Sequence, residues 1–143
     1  MKTTNKPAIL FWVIAVLALV WNLLGVMAYL GQQLMSPENL ALLSEAEQEA
    51  IVNRPAWATS AFAIAVWGGL LAAIFLLIKK RWAKTVFIIS FLGVLVQMYF
   101  NFFVIDSLAI YGPGGLFMPV LIVLFGIFLI WWSDHSIKKG WLK

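Results

Sequence analysis

The residues of this sequence that could do chemistry away from water are three amides and their aromatic company: Asn22, Gln97 and Asn101, with Trp67, Tyr99 and Tyr29. An uncharged amide both donates and accepts hydrogen bonds, while Trp and Tyr supply a flat surface with a polar tip. Together they form a candidate polar pocket for a small neutral solute, a task of recognition and not of bond-making. Amides in apolar helices also have a plainer use, tying one helix to the next at roughly 0.6 to 2 kcal/mol each. That structural use is the first expectation and the pocket the second.

Bond-making chemistry finds little to work with. The sequence has no cysteine, which removes disulfides, thiolate nucleophiles and cysteine-held metals. Its single histidine, His135, has only Asp134 beside it, too few ligands for a metal, and reads as a solvated tail residue. Glu38, Glu45, Glu47 and Glu49 are spaced like the wet face of a helix, not like a catalytic pair. No Asp, Glu, Lys, Arg or His falls inside an apolar run, so proton relays and ion coupling lack their usual groups. The expectation is no enzyme, no metal and no cofactor.

The elements that must position the amides are helices in a bilayer. Of the 143 residues, 64% are apolar and 11% charged, against about half apolar in a water-soluble domain. Four apolar runs, Ala8 to Leu30, Ala56 to Ile78, Thr85 to Ile105 and Leu116 to Trp132, each have spanning length at about 1.5 Å per residue. The expected fold is all-α, an integral membrane four-helix bundle forming one domain over 1–143, with the fourth span the shortest. The first run is too long for the core of a secretory signal and contains Asn22, so it is expected to remain as a span.

Charge orients these spans. Lys2, Lys6, Lys79, Lys80, Arg81, Lys84, Lys138, Lys139 and Lys143 fall on one side; Arg54, Asp106 and the four glutamates already named fall on the other. Basic residues gather on the cytoplasmic face, so both termini are expected there. Trp12, Trp82, Trp131, Trp132 and Trp141 suit that interface, and Tyr29, Trp57 and Tyr111 the opposite one. Because the basic residues sit at the ends of apolar runs and not in a polar patch, the net charge of +4 does not imply nucleic acid. Arg54 and Asp106 are expected to pair across the outer surface.

The first outer connection should hold a short amphipathic helical segment over 36–54. Ser36-Pro37-Glu38 reads as one helix start, and Ser44 with Glu47 as a capping box for another. Tyr111-Gly112-Pro113-Gly114-Gly115 reads as a tight outer turn.

Small residues mark where helices approach closely in lipid. On span two Ala61, Ala65, Gly69 and Ala73 recur every four residues beside Gly68 and Ala72. Ala15, Ala18, Asn22, Gly25 and Tyr29 make a stripe on span one, and Val86, Ser90, Gly93, Gln97 and Asn101 another on span three. Spans one to three should meet on these faces, with span four more exposed to lipid and Pro119 kinking it early or marking its true start. Counted from the cytoplasmic ends, Asn22, Gln97 and Asn101 lie about 21, 18 and 24 Å into their spans, a shared level in the outer half.

Several stretches carry a resemblance: Leu10-Phe11-Trp12, Trp21-Asn22-Leu23-Leu24-Gly25-Val26-Met27-Ala28-Tyr29-Leu30, Pro55-Ala56-Trp57, Gly93-Val94-Leu95-Val96-Gln97-Met98 and Tyr111-Gly112-Pro113-Gly114-Gly115. Over nearly the whole chain they resemble a group of small four-span bacterial inner-membrane proteins, some of which carry the label "sugar transporter". The leading functional expectation is a non-enzymatic membrane protein acting by association, with a second copy or another membrane protein as partner besides the lipid bilayer. The other is a binder or facilitator of a small neutral solute such as a sugar.

Overall fold

The computed structural model describes residues 6–143; Lys2, counted above among the basic residues, lies outside them. Seven α-helices follow one another: α1 (Ile9–Gln33), α2 (Pro37–Ala41), α3 (Glu45–Val52), α4 (Ala56–Leu77), α5 (Trp82–Tyr99), α6 (Ser107–Tyr111) and α7 (Phe117–Lys138). A π-helical turn, Phe100–Val104, continues α5, and a 3-10 turn, Pro113–Leu116, leads into α7. Four of these segments are long and apolar enough to cross a membrane: Ile9–Gln33, Ala56–Leu77, Trp82–Val104 and Pro113–Lys138. The protein is a multi-pass membrane four-helix bundle.

The helices between spans one and two form for local reasons. The Ser36 hydroxyl accepts from the Asn39 N–H at 3.2 Å, with Pro37 in the first turn, where a missing N–H costs nothing. At α3, Ser44 and Glu47 cap each other reciprocally, both bonds at 3.2 Å. Neither helix buries a residue. Pro119 falls in the first turn of α7 and therefore leaves that helix unbroken.

Four expectations need correction. The tight turn after span three is preceded by the short helix α6, launched from Asp106 in the left-handed region at φ 51. The fourth span is not the shortest, since α7 continues past Trp132 to Lys138. Its polar residues meet their hydrogen-bonding needs without leaving the helix: Ser133 and Ser136, fully buried, donate to the Leu129 and Trp132 carbonyls at 2.8 Å. Asp134 takes Lys84 and Lys138 at 3.0 Å each. His135 is accordingly no solvated tail residue but a half-buried ring stacked on Trp131, with centroids 5.3 Å apart.

The fourth correction concerns Arg54. Among the described residues no ion pair joins it to Asp106. Its guanidinium instead lies over the rings of Phe62 and Phe100, 5.8 and 5.0 Å from their centroids. A planar, weakly hydrated cation packs well on aromatic faces, which an exposed carboxylate at a helix start cannot match.

Both spans that end on the basic side close in the same way. After α4, Lys79 at φ 60 turns the chain, and the N–H groups of Lys79 and Lys80 donate back to Leu76 and Phe75. After α7, Gly140 at φ 78 repeats the motif, with Gly140 and Trp141 donating to Ile137 and Ser136. Lys143 then bridges the two turns, donating to the Lys79 carbonyl at 2.9 Å and accepting from the Arg81 N–H at 3.3 Å. The main apolar core lies at this basic end, where Phe11, Ala15, Ala72, Ala73, Leu76, Phe87, Leu129, Trp132 and Leu142 pack together.

Candidate functional site

α4 sits between α1 and α5, and α5 carries α7 on its other side. Close approach follows from the small residues. Gly93 of α5 rests on the backbone of α4, where an added Cβ would stand 2.9 Å from the Ala61 oxygen and 3.0 Å from the Ala65 nitrogen. Ser90, one turn away, donates to the Ala65 carbonyl at 2.6 Å. Gly68 faces Ser90, Gly25 faces Val66, and Ala61, Ala65, Gly69, Ala72 and Ala73 are all buried. The small-residue face of α4 is thus consumed within the bundle, against α1 and α5.

The ring of contacts α1–α4–α5–α7 leaves a cavity of about 340 Å³ on the bundle axis, lined from all four spans. Its wall is apolar almost throughout: Trp21, Leu24, Phe62, Val66, Phe87, Phe91, Val94, Met118, Ile122 and Leu129. Three polar side chains interrupt it, Asn22, Ser90 and Gln97. Asn22 uses its Nδ2 to bond the Ala18 carbonyl at 2.8 Å, within its own helix. That orients the carbonyl oxygen Oδ1 over Gly69, in the space a side chain there would occupy. Oδ1 remains an acceptor, and the Gln97 amide offers both a donor and an acceptor.

Of the six residues proposed for a pocket, the structure brings Asn22 and Gln97 to this cavity. Trp67, 44% exposed, and Tyr99, 56% exposed, do not line it. Tyr99 packs on Trp57 and Phe103 instead. Tyr29 stands behind the wall, edge-on to Phe62 at 5.2 Å. Asn101 falls in the π turn, where the α-helical register that would align it with Gln97 is lost.

Trp21, which like Trp67 falls deep within its span by sequence but is not among the residues expected in the pocket, is the tryptophan that reaches the cavity; Ser90 is expected only as a packing residue. Ser90 carried a signal, since it lies two turns from Gln97 on the same face of one helix.

No protein-family model matches the chain, and no curated protein or solved structure is significantly similar to it.

At the end of the bundle that carries α2 and α3, side chains stack on part of the cavity wall. Phe62, which lines the cavity, is covered by Tyr29 and by the Arg54 guanidinium, and Arg54 also touches Phe100. Burial lowers the Arg54 pKa from the ordinary guanidinium value, with nearby Tyr111 acting in the opposite sense.

Proposed function

We propose that this chain is a bacterial inner-membrane protein that binds a small uncharged molecule inside its bundle. The observation that carries the reading is the axial cavity, whose apolar wall is broken by the Asn22, Ser90 and Gln97 side chains. Pockets of this kind, mostly apolar with a few convergent polar groups, are the usual form of small-molecule sites. Two amides at one level can fix the orientation of a guest with one hydrogen-bonding end. A free sugar, as suggested by the resemblance to proteins carrying that label, would bring many more hydroxyls than three side chains can satisfy, each costly to bury unpaired.

Association with a second copy or another membrane protein, the leading expectation from the sequence, would use a surface other than the small-residue face of α4. The stripe from Ala61 to Ala73 faces α1 and α5 and leaves no groove for another backbone.

The test is thermal unfolding of the purified protein in mild detergent against a panel of uncharged compounds graded from sugars to medium-chain alcohols. A compound that raises the melting temperature of the native chain, and fails to do so for Asn22→Leu with Gln97→Leu, supports the site. No shift across the whole panel would return the amides to a purely structural role.

A further inference from the structure

The cavity is packed shut at one end only. Toward the basic end lies the main core, with Phe11, Leu76, Trp132 and Leu142 all at most 5% exposed. Toward the other end Phe62 carries Tyr29 and Arg54, while Ala28 and Met118, which also line the cavity, are exposed at the edges of α1 and α7. The remaining side is the seam between α1 and α7, the one place where consecutive members of the ring lack broad backbone contact. A groove runs along it, lined by Leu17, Val20, Phe125 and Phe128 and sharing Trp21, Leu24 and Leu129 with the cavity itself. Trp21 and Phe125 span the seam with ring centroids 4.6 Å apart. Beyond them Leu17, Val20 and Leu24 are between 49% and 61% exposed, so the groove opens sideways.

The geometry points to loading from the lipid phase: we propose that the guest reaches the cavity between α1 and α7, past Trp21 and Phe125. This deepens the binding reading above and rests on it. A molecule taking that path crosses a threshold that is apolar but for the Trp21 indole N–H before it meets an amide, so a polar solute would shed its water with little in exchange. The guest is thereby defined by chemistry as a bilayer-soluble compound with an apolar body and one neutral hydrogen-bonding end, such as a hydroxyl. Its hydroxyl donates a hydrogen bond to Asn22 Oδ1 and its oxygen accepts one from the Gln97 amide. Two aromatic rings that meet across the seam make a threshold that side-chain rotation alone can open.

The chain has no native cysteine, so the seam can be bridged without background. Leu17→Cys with Phe128→Cys places one thiol on each side of the groove, at positions that do not line the cavity. The full chain carrying both changes is reconstituted in phosphatidylcholine vesicles and exposed to a diazirine-bearing dodecyl alcohol, with and without prior bridging by a short thiol-specific cross-linker. Photolabelling of cavity peptides is then followed over time. Lateral loading predicts that bridging slows labelling by about tenfold or more, and that protein loaded before bridging retains its label. Equal loading rates in bridged and open protein would overturn the lateral route while leaving the binding site in place. Absence of cavity labelling in the unbridged protein, or labelling undiminished by excess dodecanol, would overturn the binding reading and the route together.

Discussion

At the scale of single residues, glycine decides how near the amides come to one another. Two glycines resist a side chain for different reasons, and the difference is measurable. At Gly93 the neighbours are backbone atoms of α4, which cannot move aside, so Gly93→Ala should separate the helices and cost about 2 to 3 kcal/mol. At Gly69 the obstacle is the Asn22 amide, a side chain that can swing away, so Gly69→Ala should cost less, about 1 to 2 kcal/mol, while moving Oδ1. Thermal unfolding in detergent should rank the two in that order, with Gly69→Ala the more damaging to ligand-induced shifts. Ser90→Ala removes the bond to the Ala65 carbonyl and should lower stability by about 1 kcal/mol by the same measurement. The sequence made Asn22 and Gln97 legible because an amide in an apolar run is conspicuous. It could not sort Trp67 and Tyr99 from Trp21, since counting residues along a helix yields depth but not which face meets a neighbour and which meets lipid.

At the scale of elements, capping was the most readable signal, because Ser36, Ser44 and Glu47 act through bonds to their own helices. The end of α7 was illegible for the converse reason: Ser133, Asp134 and Ser136 look like a tail until the partners that satisfy them are known. The paired turns after α4 and α7 offer a controlled comparison. Gly140 occupies its left-handed position freely, whereas Lys79 holds the same region with a side chain. Gly140→Ala should therefore destabilise by about 1 to 2 kcal/mol, and Lys79→Gly should stabilise by up to about 1 kcal/mol. Opposite shifts in melting temperature for the two variants are the expected outcome; shifts of the same sign would mean that the Lys143 bridge, not backbone strain, governs this end.

At the scale of the whole molecule, hydropathy located four spans with little error, yet the order in which they ring the cavity and the seam left between α1 and α7 had no signature. Lipid is as apolar as leucine, so a Leu facing the bilayer and a Leu facing a neighbour read alike. Orientation remains a reading of charge, and it makes a direct prediction. Introduced singly into the cysteine-free chain, Gln48→Cys should react with a membrane-impermeant maleimide added outside intact cells, and Lys80→Cys only after the membrane is permeabilised. Reaction of both from one side would overturn the arrangement of spans. The wide turn at Phe100–Val104 has a consequence of its own for how such a chain could vary in length. A π turn is what an α-helix becomes when it absorbs one additional residue without breaking. Related chains one residue shorter there would run straight through as α-helix, turning everything from Ile105 onward to a new face while leaving Gln97 where it is. Span three is thus the span in which a single-residue change of length could be absorbed, just beyond Gln97.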